Sequence, residues 1–238
     1  MRNVLAIARK EFRSYFSSVI GYIFITLFLA VSGWLFMSTF FLVGEASMRG
    51  YFQWMPWLLM IFVPAVSMRL WAEEKKLGTI ELLMTFPLTD GEVVAGKFLA
   101  ALGFIGLTLG LSFPVAITVA VSGDPDWGPI LGGYLGSLFL AATFLAIGVF
   151  FSSITENQIV ALLLAFFTSL FLYIVGMPIF LVVIPDVLDG FFATLSPKTH
   201  FESIQRGVID SRDIIYYVSL IGFFLFLNTR SVQSRKWR

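Results

Sequence analysis

Side chains able to do chemistry are few in this sequence. Its 238 residues hold one histidine, His200, and no cysteine, beside fifteen acidic and sixteen basic side chains. Thiolate zinc sites, cysteine nucleophiles, disulfide frameworks and multi-histidine metal centres are therefore excluded. No Gly-x-x-x-x-Gly-Lys-Ser/Thr phosphate loop occurs, so the chain has no such ATP-hydrolysing motif of its own. A net charge of +1 provides no field that would gather nucleic acid. What remains is charge concentrated in short stretches. The largest group is in 69–97, with Glu73, Glu74, Glu81, Asp90 and Glu92 beside Arg69, Lys75, Lys76 and Lys97.

That stretch has internal punctuation. Gly78 interrupts a preceding helix and Thr79 can cap a new one. Ile80, Leu83 and Met84 supply an apolar stripe, and Pro87 drives Phe86 out of helical geometry. Thr89-x-x-Glu92 is a capping box that opens the next helix. The expected product is a short amphipathic helix over 79–86 with no bulk of its own to fold upon. Lipid would favour a basic surface; the acid-rich composition fits a protein partner better. Three further stretches carry polar residues. Residues 152–158 include Glu156 and a second capping pattern, Thr155-x-x-Gln158. Over 3–17, Leu5, Ala8, Phe12 and Phe16 share one helical face while Arg2, Arg9 and Arg13 share another, predicting an interfacial helix with its basic face toward anionic lipid. Over 185–213, Ser196-Pro197 and Thr199-x-x-Glu202 read as helix starts, with Phe201, Ile204 and Val208 on one apolar face and Phe191, Phe192 and Leu195 in a second cluster. His200 in that stretch reads more simply as a capping or surface residue than as a catalyst. The segment is either a gate at an exit or a lid over helix ends.

These stretches need something to hold them. Hydrophobic residues make up 58% of the chain and charged ones 13%, with a mean hydropathy of +0.89. A soluble domain carries about 25% charged residues, so a soluble enzyme and a disordered chain are both excluded. Residues without Asp, Glu, Lys or Arg fall into six long runs, 14–44, 50–68, 98–123, 127–155, 157–185 and 214–229. A bilayer core takes ~20 helical residues to cross, and lipid leaves backbone groups no partner but the helix itself. The expected fold is an all-α integral membrane protein of six transmembrane helices. The first run is too long for a signal-peptide core and lacks a small-residue cleavage site after it.

Loop basic residues set the orientation. Arg2, Arg9, Lys10, Arg13, Arg69, Lys75, Lys76, Lys97, Arg230, Arg235, Lys236 and Arg238 fall on one side; Arg49, Lys198, Arg206 and Arg212 fall on the other. Both termini are therefore expected in the cytoplasm, with Trp71 at the inner interface and Trp54, Trp57 and Trp127 at the outer one. No ionisable side chain lies well inside a run, which argues against ion-coupled carriers and against an intramembrane protease or lipid transferase. The runs hold small residues instead, as in Gly106-x-x-x-Gly110, Gly132-x-x-x-Gly136 and the face Gly133, Ser137, Ala141. Such faces serve packing within a subunit or a dimer seam. Pro64, Pro114 and Pro178 are candidate kinks.

Glu74-x-x-x-Gly78-Thr79-x-Glu81-x-Leu83, then Pro87, then Gly96-Lys97-Phe98, resembles the signature of ABC-2-type transporter permeases, in the position between second and third helices where that family has it. Ala8-Arg9-Lys10-Glu11-Phe12 resembles the family's N-terminal elbow helix. Ser196-Pro197-x-x-His200-Phe201-Glu202-Ser203-Ile204-x-Arg206-Gly207-Val208-Ile209-Asp210 and the end Arg235-Lys236-Trp237 look like the gliding-motility GldF branch. The resemblance covers essentially the whole chain, 1–238, as one transmembrane domain. It implies a permease subunit of a bacterial cytoplasmic-membrane exporter that works as a dimer, either with a second copy or with a GldG-like membrane subunit. It also implies a separate cytoplasmic ABC ATPase dimer, which would bind ATP and Mg; this chain would hold no cofactor or metal. Residues 79–86 would be the coupling helix, with Glu73, Glu74, Gly78, Thr79, Glu81, Leu83, Pro87 and Glu156 at the ATPase contact. Arg9, Lys10, Phe12 and Arg13 would belong to the elbow, and His200, Phe201, Glu202 and Arg206 to the outer segment. A membrane scaffold that has lost transport, or a subunit that transmits force, is the alternative.

Overall fold

The computed structural model describes residues 2–79, 88–181 and 186–234, and among them all regular structure is helical. The helices are α1 (Arg2–Ser17), α2 (Val19–Val43), α3 (Arg49–Ser67), α4 (Arg69–Lys76), α5 (Asp90–Leu111), α6 (Phe113–Ser122), α7 (Trp127–Ile154), α8 (Gln158–Ile174), α9 (Pro178–Leu181), α10 (Asp186–Leu195), α11 (Pro197–Gln205) and α12 (Ser211–Gln233). The chain is a multi-pass, all-α membrane protein. Five of the six apolar runs become helices, or broken helix pairs, long and apolar enough to cross a bilayer: α2, α3–α4, α5–α6, α7 and α12.

The sixth differs from expectation. The run 157–185 yields a helix of 17 residues, α8, which ends before a turn at Gly176 and the short α9. Pro178 explains the break, because it cannot donate to the turn before it. Even so, α8 runs between the same two ends of the bundle as α7. It starts beside the end of α7, and at its far end the Tyr173 carbonyl accepts a hydrogen bond from Ser196 Oγ (3.1 Å), the N-cap of α11. Helix α11 in turn packs on Gly132 and Gly136, near the start of α7. Seventeen residues sit at the short end of the ~17–25 that span a membrane.

The two ends of the bundle have distinct chemistry, named here by Lys97 and His200. Helices α3 and α7 form the buried centre, and α2, α8 and α12 turn large apolar faces outward. Both described chain ends, in α1 and at the end of α12, lie at the Lys97 end: α1 touches Lys97, and Ser231 Oγ donates to the Ser153 carbonyl. Glycines of α7 admit their neighbours closely. A Cβ on Gly133 would meet the Phe52 ring, and one on Gly148 would meet Ser67. The small face of α7 is therefore used for packing within the subunit. Gly110 faces open space and Gly106 only touches Leu138, so that pair holds no close helix contact within the chain.

Two of the three prolines act as the pattern suggests. Helix α5 stops at Ser112, two residues before Pro114, whose ring nitrogen cannot donate to the Gly110 carbonyl. Pro178 and Pro114 are those two; Pro64 lies inside α3, which continues past it to Ser67 with the Met68 N–H donating to the Pro64 carbonyl (2.9 Å). The capping box Thr89–Glu92 forms in full, with Glu92 N–H on Thr89 Oγ1 (3.4 Å) and Thr89 N–H on Glu92 Oε2 (3.1 Å). The Thr155–Gln158 pattern does not. Asn157 caps α8 instead, its Oδ1 accepting from the Ile159 and Val160 N–H groups, while Thr155 Oγ1 accepts from the Asn157 N–H.

Candidate functional site: the charged hub at the Lys97 end

The first helix has the expected length but a rotated apolar face. Leu5 is 66% exposed, and the side turned inward carries Ile7, Phe12, Tyr15 and Phe16. The spacing i, i+3, i+4 fits either stripe. What selects one is a groove on α5: a Cβ on Gly96 would collide with the Ile7 side chain, and Gly103 lies under Phe12. Contacts advance in register, from Asn3–Glu92 (3.2 Å) through Glu11–Lys97 to the stacked rings of Tyr15 and Phe104, so α1 runs alongside α5 in the same direction. Arg9, Lys10 and Arg13 are left exposed on the opposite side.

Rotation brings Glu11 onto the packed face, where it meets Lys97. Lys97 is 1% exposed. Its Nζ lies 2.7 Å from Glu74 Oε1 and 3.4 Å from Glu11 Oε1, and 5.1 Å from the centroid of the Trp71 ring. A buried ammonium needs such partners, because an unpaired one would shed its proton. Three pieces of chain thus meet on one cation: α1, α4 and α5. Trp71 is fully buried beneath it. Helix α4 is anchored a second way. It starts after the break at Met68, which offers no side-chain cap, and Ser152 of α7 fills that role. Ser152 Oγ accepts from the N–H groups of Trp71 (3.0 Å) and Ala72 (3.1 Å) and donates to the Met68 carbonyl (2.8 Å). Lys75 Nζ donates to the Ser153 carbonyl.

Of the residues read from sequence as the coupling contact, Glu73, Glu74, Gly78, Thr79 and Glu156 are described, and they fall at this end. Glu73 takes Arg69 in a two-pronged pair (2.8 and 3.3 Å), and Glu74 takes Lys97, so both have partners within the chain. Gly78 follows α4 with φ +69, a left-handed conformation that an L side chain strains to adopt. Thr79 Oγ1 donates to the Glu74 carbonyl (3.3 Å). Glu156 is exposed in the turn before α8. Glu81, Leu83 and Pro87, and with them most of the predicted helix 79–86, lie outside the described residues. Lys97, Glu11, Lys75 and Ser152 were absent from the sequence-derived site. Lys97 did carry a signal, as the last cation before an uncharged run; Ser152 carried none.

The opposite end gathers the other predicted residues. Ser196 caps α11 with Pro197 in its first turn, whereas Thr199 Oγ1 donates back to the Ala193 carbonyl (2.8 Å). Phe201 and Ile204 are buried against Gly136, but Val208 is exposed, because α11 ends at Gln205 and Gly207 reverses the chain at φ +85. Glu202 pairs with Lys198 (2.6 Å), and its carbonyl accepts from Arg206 Nε (3.1 Å). His200 is neither a cap nor a surface residue. Its Nδ1 lies 2.7 Å from Asp213 Oδ1, its Nε2 lies 3.0 Å from the Thr194 carbonyl, and its ring stacks on Tyr216 at 3.9 Å. It fastens α10, α11 and α12 together. His200→Ala should strand the buried Asp213 carboxylate and cost about 1–3 kcal/mol, read as a lower unfolding temperature and faster proteolytic cleavage within 186–210. Unchanged cleavage would refute the fastening role. No cluster of three metal-ligating side chains occurs among the described residues.

Residues 43–223 match the family model of ABC-2 family transporter proteins. The chain belongs to the ABC-2 transporter family. It is accordingly a membrane permease component of an ABC transporter, of a family whose members lack an ATPase site of their own and generally work with an ATPase subunit. A search of curated proteins gives no match.

Proposed function

We propose that this ABC-2 permease is the exporting subunit of a bacterial cytoplasmic-membrane transporter, driven by a separate ATPase dimer through the segment 79–86. The observation that carries this reading is the Lys97 hub. The chain leaves α4 at Gly78 and rejoins α5 at Thr89, and Lys97 ties Glu74 on one flank to its own helix on the other and to α1. A push on the segment between them would reach three helices together. Basic residues concentrate at this end, which supports placing it and both termini in the cytoplasm. Arg9, Lys10 and Arg13 would then face anionic headgroups. The outer stretch 196–210 supports a GldF-like branch, with a second copy or a GldG-like subunit completing the pore. Glu74 acts by positioning, while Glu81 and Glu156 touch the ATPase.

Affinity purification from the native membrane tests the reading, with co-recovery of a phosphate-loop ATPase expected. Gly78→Val forces a side chain into the left-handed region at about 1–2 kcal/mol. It and Glu81→Ala should reduce ATPase stimulation by the permease severalfold while the bundle stays folded. Purification without any ATPase, or full stimulation in both variants, would sink the proposal.

A further inference from the structure

We propose that the cavity between α1, the start of α2, α3–α4 and α5 binds the primary ammonium of an aminophospholipid headgroup. The cavity measures about 260 Å³ and adjoins the Lys97 hub. Its cations are already satisfied: Lys97 by two carboxylates and a ring face, Arg69 by the two-pronged pair with Glu73. What lacks a partner is oxygen. Glu74 Oε2 and the Tyr15 hydroxyl are both buried without a hydrogen bond, and both residues line the cavity. Burial, reinforced by Glu11, raises the Tyr15 pKa, so this hydroxyl stays neutral with lone pairs to offer. Charge points the same way. Glu11, Glu73 and Glu74 face Arg69 and Lys97, leaving one negative charge in surplus. Unpartnered acceptors with one surplus negative charge call for a monovalent donor, which a primary ammonium supplies with three N–H groups. The opening favours a lipid source. Ile20 lines the cavity and is itself exposed, with Val19 and Ile23 exposed beside it on α2, an apolar track for an acyl chain.

The site lies within one chain and does not depend on ATPase coupling, so either reading can fail without the other. The test uses the full chain in micelles doped with equal phosphatidylethanolamine, phosphatidylcholine and phosphatidylglycerol, with retained lipid measured by native mass spectrometry. Phosphatidylcholine has no N–H to donate, and phosphatidylglycerol has no cation. Phosphatidylethanolamine should be retained roughly tenfold over both, the effect of one hydrogen bond to a charged group. Tyr15→Phe should reduce that preference severalfold. Ser14→Leu, from an exposed position on the rim, should abolish it by filling the entrance. Thermal unfolding confirms that both variants are folded. Equal retention of the three lipids, or an unaltered preference in both folded variants, would overturn the proposal. Saturable binding of free ethanolamine without lipid preference would assign the cavity to a soluble amine and overturn the lipid source.

Discussion

Lys97→Met is expected to destabilise the protein by about 2 kcal/mol and to disconnect α1 and α4 from α5. Methionine keeps the alkyl bulk but removes the cation that Glu11 and Glu74 share. Breaking a fully buried ion pair costs about 3–5 kcal/mol. The two carboxylates keep side-chain exposures of 17% and 23%, so water relieves part of that. The lost contact with the Trp71 face adds about 0.5–1 kcal/mol. For a chain of this size, 2 kcal/mol lowers the unfolding temperature by roughly 4–8 °C. A triple variant, Lys97→Met with Glu11→Gln and Glu74→Gln, removes the stranded charges and should regain most of the loss. Thermal unfolding of the single and triple variants in detergent separates the contributions. A single variant as stable as the parent would show that the hub holds nothing together.

Gly132→Ala is the second large effect. Its Cβ would run into the Ile204 carbonyl and lie about 3.1 Å from Gly207 Cα, both backbone atoms at the end of α11. Backbone cannot rotate aside as a side-chain tip can, so α11 must shift from α7. Overpacking of this kind costs about 1–3 kcal/mol, and α11 carries His200 and Phe201 with it. Gly110→Ala is the opposite case. Its Cβ meets nothing, and replacing a glycine in the last turn of α5 at a conformation alanine can adopt gains roughly 0.4–1 kcal/mol. Unfolding temperatures should therefore move in opposite directions. Had Gly132 served a dimer seam, the alanine variant would keep its unfolding temperature and change oligomeric state instead, as size-exclusion chromatography would show.

Much of this architecture was legible because hydrocarbon imposes simple demands. A run without charge must become a helix, and the sequence contained six such runs with capping residues at their ends. Thr89–Glu92 and Ser196-Pro197 worked as read because a cap involves neighbours three residues apart. Positions that depend on a second helix were not legible. Leu5 and Ile7 are equally good apolar residues at helical spacing, and Gly96, some ninety residues away, decides which one packs. Asn157 displaced Thr155 at the start of α8 because two cap candidates lay two residues apart and only geometry chooses between them. His200 looked like a surface residue until α10 and α12 arrived on either side of it.

By itself the sequence determined a helical membrane protein, where the chain would turn, and where its charges concentrate. Those follow from local properties, the cost of exposing backbone or charge to lipid and the short reach of caps. Only the tertiary structure decided which charges meet. Glu11, Glu74 and Lys97 converge because α1 settles into the glycine groove of α5, and α4 begins where it does because Ser152 of α7 supplies the cap that Met68 cannot. Such pairings join residues 23 to 86 positions apart, and no local rule of propensity or spacing reaches that far.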